Sequence, residues 1–483
     1  MKNNRFHQSY IYELNTRIFC LENKSTVSGL ESSLLDSPEF QAADYIWLMG
    51  IWQVSPASKE ICLKHEGLNT EFRKTLHDLR DADIIGSPYA IYEYEPNPLC
   101  AISWDEIKAF QTHLHLLGKK LILDFVPNHM AVDTPLLDRY PECFLHKKDK
   151  VLCHNSFPRN GFVFYHGRDP YFDGWTDTVQ WDFSNPETVR LHLKTLQKIA
   201  SVCDGVRCDM AMLPEAEIFE QTHGKKGVPY WEELIPEIQE EFPEFQFIAE
   251  VYWNQEYNLQ QKGFAYTYDK TLYDRLQKNN SYETSMHLQA DLSFQEKSLR
   301  FIENHDEPRA YQTFGEYSIY AFSLLCFLPG LVLYHHFQSY GYEYKLPVQL
   351  GRHPIETVQD SIFAFYLRAF REIQERKGKK IRRFEMQLLP YDEHSLDDTI
   401  CHVLVMANRL ELLVYNPFPH DISGRLEFQD EILRSLKIQQ SKPIEFRDVT
   451  DNRKYIRELG DILENGLYIK LQAKQAHWFV WEQ

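Results

Sequence analysis

Four short stretches carry the strongest pattern in the sequence: KLILDFVPNH at 120–129, DGVRCDM at 204–210, FIAEVYW at 247–253 and FIENHDEPR at 301–309. Each begins with apolar residues over the length of a strand and then turns polar. Helix-length segments separate the four stretches, and strands that alternate with helices are typical of a parallel sheet with crossover helices. The four stretches therefore predict an α/β protein whose polar side chains gather at strand ends.

Further apolar runs extend this pattern in both directions. IYELNTRIF, DYIWLMG and GLVLYH add three strands, and a poorer run at 264–267 brings the total to eight. Eight strand and helix pairs predict a (β/α)8 TIM barrel. Residues with apolar three-and-four spacing predict the helices, and Ser103 with Glu106 three positions later is the pattern of a helix N-terminus. The predicted helices cover 103–117, 186–200, 231–241 and 361–376.

The remaining segments lie outside the barrel pattern. Residues 130–182 are rich in aromatics, Pro, Gly and charge, and a segment of that length predicts a small excursion subdomain after the third strand. From 385 onward, alternating runs such as HVLVMA and AHWFVWE predict a C-terminal antiparallel β-sandwich. We therefore assign the catalytic barrel to 1–129 and 183–384, the excursion (domain B) to 130–182 and the sandwich (domain C) to 385–483.

Composition narrows the class of partner. The 483 residues include 52 Lys and Arg against 70 Asp and Glu, and this net charge of −18 disfavours nucleic acid and anionic membranes. The run at 318–337 is apolar, but its Pro-Gly pair predicts a buried helix, a turn and a strand, not a membrane span. Nine cysteines without a C-x-x-C pair and an N-terminus without an apolar signal run predict a cytoplasmic protein.

Carboxylates, an arginine and histidines follow the four main strands. A single carboxylate at a strand end is usually a helix cap or half of an ion pair. Several on successive strands are different, because a barrel brings its strand ends to one pocket and like charges held together cost energy. The candidates are Asp124, Asn128, His129, Arg207, Asp209, Glu250, His305 and Asp306.

The four stretches resemble the signature regions of the α-amylase family of glycoside hydrolases, in the same order and at similar separations. The resemblance covers nearly the whole chain and implies the barrel, the excursion and the C-terminal sandwich. IWLMGIWQVSP and GSPYAIYEY are further similarities, and the chain is closest to a poorly characterised bacterial amylase-like subgroup. The matching positions are Asp124-x-x-x-Asn128-His129, Gly205-x-Arg207-x-Asp209, Glu250 and Asn304-His305-Asp306.

The resemblance implies a role for each of three carboxylates. Asp209 would be the nucleophile, Glu250 the general acid and then the base, and Asp306 the carboxylate that steadies an oxocarbenium-like sugar. Apart from the resemblance, the chemistry of retaining cleavage requires one ionised and one protonated carboxyl group at the scissile bond. Arg207 lies two residues from Asp209 and so on the same side of the strand, where it can orient the nucleophile.

The resemblance also implies four substrate-binding residues. Tyr89 would stack on the sugar beside the cut bond, since an aromatic face suits the apolar face of a sugar. His129 and His305 would donate hydrogen bonds to sugar hydroxyls, although buried structural histidines are the alternative for both. Arg207 is the fourth.

Several departures from the family pattern concern calcium. Asn128 is the only candidate ligand carried over, because Ser184 and Leu213 stand where relatives use Asp and His. Calcium needs about six to eight oxygen ligands, so we predict that no cofactor is required and that calcium is not favoured. The remaining carboxylates that could replace the lost ligand are Asp169, Asp173 and Asp177.

The predicted function is that of a retaining α-glycoside hydrolase acting on α-linked glucans such as glycogen, starch and maltooligosaccharides. A 4-α-glucanotransferase or another transglycosidase is the first alternative, because a sugar hydroxyl can intercept the same intermediate. A catalytically inactive glucan-binding protein is the second, because fold does not determine function.

Overall fold

A computed structural model describes residues 5–29, 34–148, 151–391, 395–429, 431–432 and 443–482. Eight strands close into a barrel in chain order, as predicted. The last two positions of the apolar run at 264–267 begin the sixth strand. The barrel strands are β1 (Gln8–Asn15), β2 (Tyr45–Met49), β3 (Lys120–Phe125), β4 (Gly205–Cys208), β5 (Gln246–Ala249), β6 (Tyr266–Tyr268), β7 (Ser298–Arg300) and β8 (Gly330–His335).

Helices fill the connections between barrel strands. The helix Trp104–Leu116 begins after Ser103, whose hydroxyl accepts the Glu106 amide at 3.3 Å, so the predicted N-terminus is confirmed. The predicted helix at 361–376 begins one residue earlier. The α-helices of the described residues are Thr16–Asn23, Pro38–Ala42, Pro56–Lys64, Glu66–Thr75, Trp104–Leu116, Leu136–Arg139, Pro186–Ala200, Ala216–His223, Trp231–Glu241, Glu256–Gln261, Lys270–Gln277, Ser281–Leu288, Leu292–Gln295, Ala310–Phe314, Ser318–Leu325, Asp360–Arg376 and, in the C-terminal part, Leu459–Asn465.

The chain divides into two compact units. The first comprises Ile11–Tyr268 and Tyr344–Ile355 and contains β2 to β6. Its long connection after β3 forms small antiparallel sheets, and the pairing of His129–Ala131 with Thr178–Gln180 joins the two ends of that connection. A second sheet there consists of His146–Lys147, Ser156–Arg159 and Phe162–Tyr165. The domain limits at 129, 182 and 384 stay a prediction.

The second unit comprises Met1–Tyr10, Asp269–Glu343 and Glu356–Gln483. It contains the predicted C-terminal sandwich, whose sheets enclose a core of aliphatic and aromatic side chains such as Val403, Leu412 and Phe479. The seven-stranded sheet has the order Arg5–Phe6, Ile381–Met386, Ile400–Met406, Arg409–Tyr415, Ala476–Glu482, Ile444–Asp448 and Lys454–Arg457, and the three-stranded sheet has the order Leu388–Pro390, Ile422–Leu426 and Leu467–Leu471.

The seventh strand differs from the sequence expectation. The run FIENHDEPR at 301–309 is predicted to begin as a strand, but β7 covers Ser298–Arg300, and the residues that follow it are irregular. Further along this segment, the amide oxygen of Asn304 accepts the backbone N–H groups of Asp306 and Glu307 at 2.9 Å each, which forms a turn there. Side-chain hydrogen bonds to the local backbone compete with strand pairing in this way.

The apolar run at 318–337 forms the helix Ser318–Leu325, a turn and β8, as predicted. In the part of the chain that the structure describes, no helix combines the length and the apolar character needed to cross a bilayer.

Candidate active site

The register of β3, β4 and β5 brings the main candidate residues side by side. Arg207 on β4 lies opposite Asp124 on β3, and Cys208 lies opposite Ala249 on β5. Asp209 directly follows β4 and Glu250 directly follows β5, so the two residues hold neighbouring positions. Gly205 allows β4 and β5 to approach, because a Cβ there would lie 2.4 Å from the Gln246 carbonyl oxygen.

A buried arginine connects the carboxylates. The Nη1 atom of Arg207 donates to Asp209 Oδ1 at 2.9 Å, and its Nη2 atom donates to Glu250 Oε2 at 2.7 Å. Its Nη1 atom also lies 4.0 Å from Asp124 Oδ1. Burial alone would lower the pKa of Arg207, but Glu250 foremost and then the surrounding hydroxyls and Asp209 raise it well above its ordinary value. We call these four residues the Arg207 cluster.

Glu250 has two further donors that sequence reasoning missed. The backbone N–H of Met210 donates to Oε2 at 2.8 Å, and the Tyr252 hydroxyl donates to Oε1 at 2.8 Å. Met210 has a left-handed backbone with φ of 42°. Tyr252 lies two residues after Glu250, and that period-two spacing is the signal from which it could have been found.

Asp124 is oriented by the neighbouring strand and loop. Its Oδ1 accepts the Trp47 indole N–H at 3.1 Å, and its Oδ2 accepts the Gly50 backbone N–H at 2.8 Å. Such donors favour an ionised carboxylate. Neither donor was among the predicted site residues.

Aromatic rings surround the Arg207 guanidinium. Its carbon lies 5.2 Å from the Trp47 ring, 5.3 Å from the Tyr89 ring and 5.7 Å from the Tyr268 ring. The Tyr268 hydroxyl accepts a hydrogen bond from Arg207 Nε at 3.3 Å. Tyr89 is half-buried. Tyr268 directly follows the poorest predicted strand, at 264–267, and no signal marked it as a site residue.

His129 lies in the same unit, buried against the Trp175 ring at 5.2 Å. Burial lowers the pKa of His129 to about 4, and a hydrogen bond with the Tyr89 backbone only partly opposes that shift. The ring is therefore neutral at pH 7, with one nitrogen as a donor and the other as an acceptor.

Two of the predicted residues belong to the second unit. His305 is buried, and its Nε2 lies 3.0 Å from Oδ2 of the adjacent Asp306. The Asp306 side chain is 43% exposed, in contrast to the buried carboxylates of the Arg207 cluster. Both residues lie in the irregular segment beyond β7 rather than on the strand itself.

The predicted calcium ligand Asn128 is already engaged. Its side-chain oxygen accepts from Gln180 Nε2 at 3.0 Å, and its backbone carbonyl accepts from the same nitrogen at 2.9 Å. Asp182 accepts from the Ser184 hydroxyl at 2.6 Å and forms an ion pair with Lys225. A lysine ammonium thus neutralises the carboxylate that stands next to the lost ligand position.

The three remaining carboxylates do not converge on one point. Asp169 caps a turn, Asp173 pairs with His154 at 2.7 Å, and Asp177 accepts from Ser58 at 2.6 Å. Within the described ranges, no group of three or more His, Cys, Asp and Glu side chains could hold a metal ion. These residues do not fit a calcium shell.

Solved structures of α-amylases have the same fold as this chain. A noncanonic maltogenic α-amylase from Thermotoga neapolitana is 19% identical with a TM-score of 0.66, over 100% of both chains. An α-amylase from Geobacillus thermoleovorans, complexed with acarbose, is 17% identical with a TM-score of 0.64, over 98% of both chains. A trehalose-6-phosphate hydrolase from Bacillus licheniformis is 12% identical with a TM-score of 0.62, over 98% of this chain and 99% of the other.

No protein-family model and no curated protein matches the chain. The structural likeness confirms the predicted fold, a TIM barrel of the α-amylase type with a C-terminal β-sandwich. At these identities the likeness concerns the fold, and function has to be argued from the side chains.

Proposed function

We propose that this chain is a retaining α-glycoside hydrolase that cleaves α-linked glucans such as glycogen, starch and maltooligosaccharides. The observation that carries the proposal is the Arg207 guanidinium, which donates to Asp209 and Glu250 at once, all three side chains being buried. Two carboxyl groups on neighbouring strand ends, with different hydrogen-bond partners, are what a retaining mechanism requires. Their separation should be about 5 to 5.5 Å.

In the first step, an Asp209 oxygen forms a bond to the anomeric carbon while the glycosidic C–O bond breaks. Glu250 gives its proton to the departing oxygen. Water then attacks the glycosyl-enzyme, gives its proton to Glu250 and releases Asp209. Arg207 keeps Asp209 ionised, as a nucleophile must be.

The hydrogen bonds of Glu250 suggest where its proton resides. Oε2 accepts two N–H donors, from Arg207 and Met210, and is therefore unsuited to carry a proton. Oε1 faces the Tyr252 hydroxyl, which can reverse from donor to acceptor when the carboxyl group is protonated. We assign Tyr252 the part of a positioning residue for the general acid.

Asp306 is proposed as the third carboxylate, with Tyr89, His129 and His305 as sugar-binding residues. The family resemblance supports these four roles, and the exposed carboxylate of Asp306 is suited to meet a substrate. The related fold of the Geobacillus thermoleovorans α-amylase holds acarbose, an oligosaccharide, which supports an oligosaccharide as the partner here.

We further propose that no cofactor takes part and that neither nucleic acid nor a membrane is a partner. The Lys225 ammonium beside Asp182 supports the absence of a calcium requirement. A cytoplasmic location is proposed on the nine free thiols, which are typical of a reducing compartment.

The test is incubation with glycogen, a maltooligosaccharide, sucrose and trehalose, followed by chromatography of the products. We expect shorter α-glucans with retained anomeric configuration. Products longer than the donor would instead establish the transglycosidase alternative. Glucan binding without any product would establish the inactive binding protein.

A further inference from the structure

The C-terminal sandwich, which belongs to the second unit, contains a cavity of about 550 Å³. Residues of Lys454–Arg457 and Leu467–Leu471, the last strand of each sheet, line this cavity together with residues of the strand Ala476–Glu482. Sites for small molecules have volumes of about 300–1,000 Å³. The cavity is therefore large enough to hold a small-molecule ligand. We call it the sandwich cavity.

The edge strand Lys454–Arg457 has an inverted pattern of polarity. Successive side chains point to opposite faces of a strand, so Arg453, Tyr455 and Arg457 share one face. All three line the sandwich cavity, and Tyr455 packs against the core of the sandwich. The opposite face carries Ile456, which is 61% exposed. The face that a sandwich normally fills with apolar side chains therefore carries two guanidinium groups here.

Positive charge at the sandwich cavity exceeds negative charge. Arg453, Arg457 and Lys470 line it with one carboxylate, Asp451, which gives a net charge of 3 − 1 = +2 for these side chains. Arg453 lies 3.4 Å from Asp451. Within the described ranges, neither Arg457 nor Lys470 forms an ion pair with a carboxylate. On a chain whose net charge is −18, this local excess favours an anionic ligand.

Fixed aromatic rings line another part of the sandwich cavity. The His477 ring is stacked on the Phe479 ring, with centroids 4.6 Å apart and planes at 17°. Nδ1 of His477 lies 2.5 Å from Asp448 Oδ2, and its Nε2 lies 3.2 Å from the Lys470 carbonyl oxygen, so the ring is held at both nitrogens. Rings that are already held in place lose little entropy when a ligand packs against them.

Two tyrosines supply ring surface that a ligand can reach. Tyr455 is half-buried, and its ring lies 5.2 Å from the Phe479 ring in an edge-to-face contact. Tyr468 is 48% exposed. Flat rings of this kind bind the apolar faces of sugars and bases. The sandwich cavity thus combines an anion-binding part with a ring-binding part.

We propose that the sandwich cavity binds a small phosphate ester, whose phosphate contacts Arg457 and Lys470 and whose ring packs against Tyr455 and Tyr468. A phosphate monoester carries a charge of about −1.5 to −2 at pH 7, which matches the excess of positive charge. Guanidinium and ammonium groups are common partners of phosphate. Nucleotides and sugar phosphates share this chemistry. The inference concerns a second site and goes beyond the proposed function.

Calorimetry on the full chain tests the proposal with defined probes. The esters are adenosine monophosphate and glucose 6-phosphate, and the comparison probes are inorganic phosphate, adenosine and glucose. We expect at least one ester to bind at least about tenfold more tightly than inorganic phosphate and than its own phosphate-free ring compound, because each part adds a contact. The ester that binds distinguishes a nucleotide site from a sugar-phosphate site.

Four variants locate the binding. Arg457→Ala and Lys470→Ala should each weaken ester binding about tenfold, since each removes a charge-assisted contact. Tyr468→Ala should weaken ester binding and leave that of inorganic phosphate unchanged. Lys454→Ala is the matched control, because Lys454 lies on the same strand but points to the opposite face, where it pairs with Glu445 at 2.8 Å. Its affinity should stay within about twofold of wild type.

Three results would overturn the proposal. Absence of ester binding at millimolar concentration would leave the arginines only the task of protecting an edge strand from other chains. Equal affinities for the esters and for inorganic phosphate would indicate unspecific attraction of anions. Equal losses in Lys454→Ala and Arg457→Ala would place the ester outside the sandwich cavity. Thermal melts of each variant verify that the fold is retained.

Discussion

Two buried clusters of arginine and carboxylate differ in their balance of charge. The Arg207 cluster sets one cation against the carboxyl groups of Asp124, Asp209 and Glu250, a net charge of 1 − 2 = −1 while Glu250 holds the proton of the proposed general acid and of 1 − 3 = −2 once it has given that proton up. The second cluster, which we call the Glu411 cluster, consists of Glu372, Arg376, Arg409 and Glu411, a net charge of 2 − 2 = 0.

The Glu411 carboxylate accepts hydrogen bonds from three side chains. Arg376 donates to Glu411 at 2.7 Å, Arg409 donates to it at 3.0 Å, and the Trp478 indole N–H donates to it at 2.9 Å. Burial raises the pKa of Glu411, but Arg376 and Arg409 more than offset it and hold the pKa below the usual range. Removing one partner of such a pair is strongly destabilising, so this cluster serves the fold.

Within the Arg207 cluster, a single guanidinium contacts three carboxyl groups. Ionised carboxylates held together in a buried site repel one another and favour the approach of positive charge. An oxocarbenium-like transition state supplies that charge in the proposed reaction. Burial and short ion pairs are common to both clusters, and we expect the imbalance of charge to distinguish the proposed active site from the structural network.

The largest expected effect is loss of activity from the Arg207 cluster. Asp209→Asn and Glu250→Gln should each lower kcat on a maltooligosaccharide at least about a thousandfold, because the groups act as one unit. Asp306→Asn should do the same. The melting temperature of Asp209→Asn should stay level or rise, because a negative charge leaves an acid-rich cluster, and that of Glu250→Gln should stay level, because an amide replaces a protonated carboxyl group. Near-normal activity of Glu250→Gln would place the general acid elsewhere.

The same kind of change in the Glu411 cluster should act on stability instead. Glu411→Gln removes the carboxylate that pairs with the buried Arg376 guanidinium and should lower the free energy of unfolding by about 3–5 kcal/mol. Denaturant titration measures this loss, and kcat/KM of the folded protein should stay near wild type. A stable Glu411→Gln protein with impaired catalysis would remove the distinction between the clusters.

Acid should weaken the two regions in different pH ranges. The pKa of His129 is lowered to about 4 by burial, so its neutral form stabilises the fold above about pH 6.5, and that stability is lost as pH falls from 6.5 to 4. The loss amounts to about 3 kcal/mol at pH 4. Glu411 has a lowered pKa, so its contribution is lost only below about pH 4.5.

His129→Gln tests this separation. Its unfolding free energy should fall less steeply than that of wild type between pH 6.5 and 4, by about 1.4 kcal/mol per pH unit. Below that range the two proteins should lose stability in parallel. Identical slopes across the upper range would show that His129 does not titrate on unfolding.

Aromatic rings lie beside Arg207 in the first cluster and beside Arg376 in the second. Tyr89 lies beside Arg207, whereas Phe327 lies 5.0 Å from the Arg376 guanidinium. Tyr89→Ala should weaken transition-state binding by about 1–3 kcal/mol, measured as kcat/KM, with little change in stability. Phe327→Ala, in a fully buried site, should lower stability and leave kcat/KM of the folded protein unchanged.

The smallest expected effect is that of chelation. The Lys225 ammonium provides a cation for Asp182, so thermal melts with and without excess EDTA should coincide. A fall of many degrees that calcium restores would contradict this expectation.

Local sequence determined the elements of this protein. Apolar spacing and an N-terminal Ser predicted the helix Trp104–Leu116 nearly to the residue, and alternation predicted the sandwich strands. The sequence also predicted that Asp209 and Glu250 lie at strand ends. Each follows a short apolar run, and neighbouring residues are enough to recognise such a run and the point where it turns polar. The seventh strand, in contrast, ends at Arg300, although apolar residues follow it.

The tertiary structure alone decided which of these residues meet. The register between β4 and β5 places Glu250 beside Asp209. Because the two residues are neighbours, one Arg207 side chain can donate hydrogen bonds to both. The contact of Trp253 with Tyr171 joins residues 82 positions apart, 253 − 171, for which the chain carries no local signal. Contacts of this kind depend on pairing and packing between distant segments, which a residue's own neighbours in the sequence do not encode.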